Sequence, residues 1–189
     1  ARQAWMLGKG IQPILSFSEG RTFRLAVRAT KSIEFGEEEN LGFIARCDSC
    51  GAQSVQSLVL LKGWPSCNCE IPLGRWKIIG PLWVGRLQRI SYFSNLLDLA
   101  DRKKSIHPLT IRMIDRLKTD DGSPPFSWST HELAKRLRLK GPPSTASILS
   151  SLLKHGFVAK RSAVMPGQVR TNASIRDLLM ICEGLGPRG

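Results

Sequence analysis

Four cysteines in the first half of the chain have the spacing of a metal site. Cys47 and Cys50 are separated by two residues and precede Gly51, and Cys67 and Cys69 follow after a gap of sixteen residues. Two thiolates at this spacing can reach one tetrahedral ion, and the glycine permits the tight turn between them. We therefore expect a closed, structural zinc site with four thiolate ligands: Cys47, Cys50, Cys67 and Cys69.

Two other interpretations of these cysteines stay open. Four ordinary reduced thiols would need no ion, and a redox or iron–sulfur role would use the same residue type. The tighter C-x-C spacing of the second pair is less specific for zinc than C-x-x-C. The fifth cysteine, Cys182, stands alone and is predicted to be a small core residue of the last helix.

Positive charge is concentrated in the second half of the chain. The 189 residues have a formal net charge of +13. Between Arg102 and Arg170 there are fourteen Lys or Arg residues against four acidic ones, whereas residues 37–39 form an acidic run that predicts a solvated loop. This balance favours a polyanionic partner, most often nucleic acid. A merely soluble basic protein, or one that visits anionic membranes, is the open alternative.

The cysteines must be positioned by the elements of a strand-rich first half. Alternation over residues 11–18 and 21–30 predicts a β-hairpin with its turn at Glu19 and Gly20. Short strands are expected at 41–46, 55–61 and 75–79, and the segment GPLWVG at 80–85 is interpreted as a turn-rich link.

Helical periodicity dominates the second half. Helices are predicted at 91–104, 109–118, 130–139, 145–155 and 175–182, with strands at 157–163 and 168–172 joined by a turn at Pro166. Ser129 and Glu132 have the spacing of a capping box, and Ser144 is the expected cap of the next helix. Three helices followed by a two-stranded ribbon are typical of a winged helix.

Basic side chains of this second half are candidates for contact with RNA phosphates. Few aromatic residues lie among them, so shape and backbone recognition of a folded RNA fits better than base stacking. A solvated charged face is the alternative for any single residue. The candidate residues are Lys135, Arg138, Lys140, Lys160, Arg161 and Arg170.

No catalytic centre is visible in the residues themselves. The chain has no glycine-rich cofactor fingerprint, no defensible Ser-His-Asp arrangement and no paired carboxylates. It also has no apolar run long enough to span a bilayer and no secretory leader, so an intracellular protein without a membrane partner is expected. Because the first residue is not Met, the chain is expected to be a fragment.

Four segments together resemble the tRNA (guanine-26-N2) dimethyltransferase family, in the family's order and over nearly the whole chain. They are ARQAWMLGKGIQPILSFSEGRTFRLAVR at residues 1–28, CDSCG with its later cysteine pair, GPLWVG at 80–85, and GQVRTNAS at 167–174. After GPLWVG the family usually continues Pro-Leu-His, where this chain has Arg86-Leu87-Gln88.

The resemblance implies an α+β fold in three parts. Residues 1–33 would end a class I methyltransferase sheet, residues 34–90 would form a small zinc-knuckle β region, and residues 91–189 would form a winged-helix-like tRNA-binding domain. The family transfers methyl groups from S-adenosylmethionine to the exocyclic amine of guanine 26 in tRNA. Its donor site and catalytic Asp-Pro-Phe/Tyr segment lie upstream of this chain, which is therefore expected to be inactive alone. The oligomeric state stays open.

Two other functions compete with this one. A non-enzymatic zinc and winged-helix DNA-binding regulator would place the helix at 145–155 in the major groove, although its exposed face lacks Arg, Asn or Gln for bidentate base reading. A complete but degenerate family member would act only as an RNA-binding module.

Overall fold

The computed structural model describes residues 1–19, 21–69, 74–103, 105–120, 122–165 and 167–185. These residues form a mixed α/β structure with three antiparallel sheets. The turns predicted at Gly20 and Pro166 fall on positions outside the described residues. Within the described ranges, no helix is long and apolar enough to cross a membrane.

The helices and strands begin and end at the following residues. The helices are α1 (Arg2–Met6), α2 (Ile90–Arg102), α3 (Pro108–Lys118), α4 (Thr130–Arg136), α5 (Thr145–Lys154) and α6 (Ile175–Leu185). The strands are β1 (Ile11–Glu19), β2 (Thr22–Ala29), β3 (Leu41–Cys47), β4 (Gln53–Ser57), β5 (Trp76–Trp83), β6 (Trp128–Ser129), β7 (Ala159–Arg161) and β8 (Gln168–Thr171).

The first sheet is the predicted hairpin of β1 and β2. The alternating apolar side chains of β2 are exposed: Phe23 by 72%, Leu25 by 64% and Val27 by 44%. In contrast, Leu15 and Phe17 of β1 pack against a buried cluster that belongs to α2 and α3. Alternation therefore identified the strand correctly, but it did not indicate which of its residues are buried.

The acidic run after the hairpin differs from the predicted solvated loop. Glu37 begins a 3-10 turn (Glu37–Asn40) and is only 6% exposed. Its Oε1 accepts hydrogen bonds from the indole of Trp5 at 2.6 Å and from the backbone N–H of Ile11 at 2.7 Å. Its Oε2 accepts from the backbone N–H of Glu34 at 3.3 Å. One carboxylate thus joins three segments: α1, the start of β1 and the turn at residues 34–37.

The second sheet carries the cysteines and has the strand order β4-β3-β5. Two sequence expectations are wrong here. The strand predicted at 55–61 is shifted, because β4 ends at Ser57 and the aliphatic residues 58–61 are exposed. The GPLWVG segment is no simple turn, because β5 continues through Trp83. Its Gly80 lies so close to β3 that an added Cβ would stand 2.7 Å from the carbonyl oxygen of Gly42.

The second half contains two apolar clusters. In one, Phe93 of α2 packs with Ile114 and Leu117 of α3. The other fills the space between α4, α5, α6 and the third sheet, whose order is β6-β8-β7. Cys182 is fully buried there, as predicted. The members of this second cluster are Trp128, Leu133, Ile148, Leu152, Val169, Ala173, Leu178, Ile181 and Cys182.

Candidate functional site

The four predicted metal ligands lie together in space. All four Sγ atoms of Cys47, Cys50, Cys67 and Cys69 are within 4.8 Å of one another. The Sγ atoms of Cys47 and Cys69 are 3.9 Å apart, and those of Cys50 and Cys67 are 3.4 Å apart. A tetrahedral zinc ion with Zn–S bonds of about 2.3 Å requires sulfur separations of roughly 3.8 Å. The cluster could therefore hold a metal ion with little rearrangement.

The turn that follows β3 shapes this cluster. Cys47 ends the strand, and its carbonyl accepts a hydrogen bond from the N–H of Gly51 at 3.0 Å. Gly51 has a φ of +75°, in the left-handed region that glycine adopts without strain. The N–H of Ala52 donates to the Sγ of Cys50 at 3.4 Å. On the far side, a Cβ added to Gly74 would stand 2.6 Å from the Sγ of Cys69, so only glycine fits against the sulfurs.

The protonation of the thiols is uneven. Burial of Cys47 opposes its ionisation, but the N–H groups of Cys50 and Ser49 and the neighbouring thiols outweigh it, and its pKa falls to about 7. Burial raises the pKa of Cys50, and the sulfur of Cys47 adds to this effect against the N–H of Ala52 and the thiol of Cys67. Burial and the other three sulfurs raise the pKa of Cys67. Cys47 therefore ionises more readily than Cys50 or Cys67.

An ion network joins the cysteine cluster to α4. The carboxylate of Glu132 on α4 forms ion pairs with Arg46 of β3 and, at 3.1 Å, with Arg136 one helical turn further on. Arg136 also donates to the carbonyl oxygen of Ser49, between the first two cysteines, at 3.3 Å. These contacts lower the pKa of Glu132 against the opposing effect of its burial. The cluster thereby holds one side of the helical region in place.

The predicted capping box is consequently wrong. Ser129 occupies the N-cap position of α4 but makes no side-chain capping hydrogen bond. Glu132 does not reach back to the start of the helix, because its carboxylate is engaged by Arg46 and Arg136. The cap predicted for α5 is confirmed, since the hydroxyl of Ser144 accepts from the N–H of Ser147 at 3.0 Å.

Three of the six candidate phosphate contacts lie at the end of α4. Lys135 is in the last turn of the helix, and Arg138 and Lys140 are in the segment that follows it. All three side chains are exposed. The helix ends at Arg136, earlier than predicted, so these charges lie on a short helix and a turn rather than along one helical face.

Arg138 has an unusual backbone conformation. Its φ is +53°, and among the described residues it is the only non-glycine residue with positive φ. The N–H of Leu139 bonds to the carbonyl of Ala134 at 3.0 Å, and that of Arg138 to Lys135 at 3.3 Å. This pair of bonds is a Schellman motif, whose left-handed position is usually glycine. Arginine therefore occupies a position where glycine is the preferred residue.

The other candidates lie on the third sheet and differ in exposure. Arg161 at the end of β7 is exposed, whereas Lys160 is half-buried and interacts within the protein. Because neighbouring residues of a strand point to opposite faces, the two side chains do not share one surface.

Arg170 does not fit the predicted phosphate contact. It is 8% exposed and pairs with the fully buried Asp120 at an Nη1–Oδ2 distance of 3.1 Å. The same Oδ2 accepts a hydrogen bond from the N–H of Ala163 at 3.1 Å. The pair connects the end of α3 to β8, so we assign Arg170 a structural role instead.

Sequence reasoning missed the network of Arg46, Glu132 and Arg136. The four-residue spacing of Glu132 and Arg136 on a helix was a usable indication of an ion pair. No local pattern indicated the contact between Glu132 and Arg46, because 86 residues separate them in the sequence.

Comparison with known proteins gives one family. The family model of N2,N2-dimethylguanosine tRNA methyltransferase matches residues 1–183. A tRNA (guanine(26)-N(2))-dimethyltransferase of Methanothermobacter thermautotrophicus is 26% identical over 184 residues, covering 95% of this chain and 47% of the relative. One of the same name from Methanoregula boonei is 28% identical, covering 97% of this chain and 49% of the relative. The chain thus spans about half the length of the curated relatives it matches.

A solved structure has the same fold. Trm1 from Pyrococcus horikoshii, solved in complex with S-adenosyl-L-methionine, aligns with a TM-score of 0.73 and 23% identity. The alignment covers 95% of this chain and 46% of that protein. The likeness supports the mixed α/β fold described above.

Proposed function

The chain belongs to the N2,N2-dimethylguanosine tRNA methyltransferase family, and we propose that it is the C-terminal, tRNA-holding part of a tRNA (guanine26-N2)-dimethyltransferase. The observation that carries this proposal is the family match over residues 1–183 of a chain with a net charge of +13. The relatives named above are tRNA methyltransferases. This favours an RNA partner over the alternative of a DNA-binding regulator.

We propose three functional parts. Residues 1–33 would complete the sheet of a methyltransferase domain, residues 34–90 would form the metal-bearing region, and residues 91–189 would form a winged-helix-like tRNA-binding domain. The order of α4, α5 and the β7–β8 ribbon supports the last assignment. The packing of β1 against α2 and α3 indicates that the first and last parts share a core.

We propose zinc as the structural ion of the cysteine cluster. Four thiolates and no open coordination position fit a structural role better than a catalytic one. When bound, the ion would fix the turn at residues 47–51, to which Arg136 donates a hydrogen bond. The metal would therefore act on RNA binding through the position of α4.

The proposed RNA surface consists of exposed basic residues around the end of α4, with a second contribution from β7. A phosphate needs charge and N–H donors at its surface more than it needs a fixed geometry. Arg170 is removed from this set because it is buried. The exposed residues retained are Lys135, Arg138, Lys140 and Arg161, and the half-buried Lys160 on the opposite face of β7 would make a separate contact.

In this division of labour the chain holds and orients the RNA. S-adenosylmethionine would supply the methyl group. We assign its binding to the part of the relatives' sequences that this chain does not match. The rate of a displacement reaction depends on how the guanine amine is positioned relative to the methyl donor. Rigid binding of the RNA would therefore contribute to the rate. Guanine 26 lies where two stems of tRNA meet, and access to it is helped if the base is turned out of its stack. Such an enzyme would act inside the cell.

A competition experiment tests this function. The full-length protein is bound to labelled tRNA and challenged with unlabelled tRNA or duplex DNA at matched salt concentrations. We expect tRNA to compete at least tenfold more strongly, with a binding constant that falls steeply as salt increases. Equal or better competition by duplex DNA would support the regulator instead.

A further inference from the structure

The last residue of α4 joins the proposed RNA surface to the cysteine cluster. Arg136 ends the helix between Lys135 and the segment that carries Arg138, and both of these neighbours are exposed basic residues. Its own guanidinium group lies against the cysteine cluster, where Nη1 donates to the carbonyl oxygen of Ser49 at 3.3 Å. One side chain of α4 thus contacts the turn between two metal ligands, while the basic side chains near it are exposed to solvent.

The fit between this guanidinium group and the turn is close. A Cβ added to Gly51 would stand 2.8 Å from the Cζ of Arg136, so a larger residue at this position would displace the arginine. The turn is itself defined by the cysteines, because Cys47 and Cys50 lie on either side of Ser49. Its hydrogen bond joins the N–H of Gly51 to the carbonyl of Cys47 at 3.0 Å. A change in the position of the two thiols therefore moves the groups that Arg136 contacts.

Glu132 extends this contact into a network of three side chains. One oxygen of its carboxylate pairs with Arg46 and accepts from the Nε and Nη2 of Arg136 at 3.4 and 3.1 Å. Arg46 directly precedes Cys47 in β3, so α4 is held both at the strand and at the turn that follows it. The three side chains are 28% to 43% exposed, and ion pairs at such exposure add little to stability. The expected effect of the network is therefore on the position of α4.

The orientation of α4 depends on such contacts. The helix has seven residues, which is too short for stability by itself, and the side chain of Ser129 does not cap it. Leu133 and Ala134 are buried on its apolar side. Glu132 and Arg136 hold a second side of the helix. Loss of these polar contacts would leave α4 held from the apolar side alone.

A second contact between the same parts of the chain does not involve α4. The Nε2 of Gln53 in β4 donates to the carbonyl oxygen of Ser127, just before β6, at 3.0 Å. This hydrogen bond joins the second sheet to the start of the third without reaching the helix. Its removal therefore provides a matched comparison for the removal of the Arg136 contacts.

We propose that Arg136 is a positioning residue that couples occupancy of the metal site to RNA binding. A bound ion fixes the turn at residues 47–51, and Arg136 transmits that position to the end of α4. The basic residues there meet the RNA in a defined arrangement only while the turn is fixed. Coupling between two binding sites is reciprocal, so bound RNA tightens metal binding by the same factor. The inference rests on the proposed function, because it takes tRNA as the ligand of the basic surface.

The coupling is measured as the zinc affinity of the full-length protein with and without saturating tRNA. A chelator of known zinc affinity buffers the free zinc, so that the measurement reports an equilibrium and not the shielding of the site by RNA. Two variants are compared with the unmodified protein. Arg136→Gln removes the guanidinium group from the network, and Gln53→Ala removes the contact that does not involve α4.

Only the first variant should lose the coupling. In the unmodified protein and in Gln53→Ala, tRNA should increase the zinc affinity by about 5- to 150-fold, the usual range of coupling between two sites. In Arg136→Gln the increase should fall to about twofold or less, because the helix no longer follows the turn. The Kd for tRNA, measured with and without zinc, should change by the same factor in each protein.

The other outcomes separate this inference from the proposed function. If Arg136→Gln keeps the full increase, the coupling comes from the charge of the RNA or from folding of the whole region, and the inference is wrong. If Gln53→Ala loses the coupling to the same extent, the specific role of Arg136 is refuted. If the unmodified protein binds tRNA equally well with and without zinc, the inference fails and the proposed function stands. If it does not bind tRNA at any zinc concentration, the proposed function fails as well.

Discussion

Replacing Arg138 with glycine should stabilise the protein and weaken its binding to RNA. Arg138 has φ of +53° at the end of α4, in the position of a Schellman motif where glycine is preferred. The left-handed conformation costs a residue with a Cβ about 1 to 2 kcal/mol. Glycine loses roughly 0.5 to 1 kcal/mol more conformational entropy on folding. The difference spans about 0 to 1.5 kcal/mol, and we expect a net gain in unfolding free energy of about 0.5 to 1 kcal/mol, near its middle.

Thermal unfolding and RNA binding together measure this change. In a protein of this size, 1 kcal/mol corresponds to roughly 2 to 4 °C, so the melting temperature should rise by about 1 to 4 °C. The lost charge should lower the slope of log K against log salt by about 0.7 to 0.9 and weaken tRNA binding in 0.1 M salt by roughly 5- to 10-fold.

A neighbouring residue provides the matched control. Lys135→Gly removes the same charge from the last turn of α4, where glycine costs about 1 kcal/mol relative to a good helix former. It should therefore lower the melting temperature while weakening RNA binding to a similar extent. If Arg138→Gly destabilises the protein, or if it stabilises the protein with unchanged RNA affinity, the explanation of the strained arginine is refuted.

Three further predictions concern the metal, the buried ion pair and acid. Elemental analysis of the unmodified protein should find about one zinc ion per chain. Cys47→Ser should lose this zinc, while Cys182→Ala should retain it. Unmodified protein without zinc would contradict the metal assignment. Arg170→Leu should lower the unfolding free energy, measured with denaturant, by about 3 to 5 kcal/mol, because it leaves Asp120 charged and buried. Adding Asp120→Asn should recover much of this loss. A loss below about 1 kcal/mol would show that the ion pair is unimportant for stability. The pKa of Glu132 is lowered in the folded protein, so the stability that its ion pairs contribute is complete above the usual glutamate pKa of 4.5 and is lost as the pH falls below that value. Glu132→Gln should therefore reduce the decrease in melting temperature between about pH 5 and 3. An identical pH profile would show that these ion pairs do not contribute to acid sensitivity.

Much of the fold followed from local patterns in the sequence. The hairpin, the helices and the meeting of the four cysteines were predicted, because alternation, helical periodicity and C-x-x-C spacing depend on nearby residues. The exposure of Phe23 was not, since alternation identifies a strand without revealing what covers its faces. The strand expected at 55–61 ends at Ser57, because its partner β3 begins at Leu41, next to the residue that pairs with Ser57.

The residue types of the candidate site were predictable from the sequence, whereas the long-range contacts of these residues were not. Basic residues are easily counted, but Arg170 is drawn into the interior by Asp120, which is fifty residues away in the sequence. Glu132 of α4 has the spacing of a capping residue, yet it binds Arg46 of the second sheet. Gln88 and Arg89 bind the backbone of β1, more than seventy residues earlier in the chain. Contacts over such separations leave no local pattern.

Methyl transfer to a defined nucleotide tests the proposed function most directly. The full-length protein is incubated with S-adenosylmethionine carrying a labelled methyl group and with two tRNA transcripts that differ only in having guanine or adenine at position 26. We expect label only in the guanine transcript, recovered after digestion as N2-methylated guanosine. Equal labelling of both transcripts, or no labelling of tRNA that the protein binds, would contradict the function proposed for the protein that contains this chain.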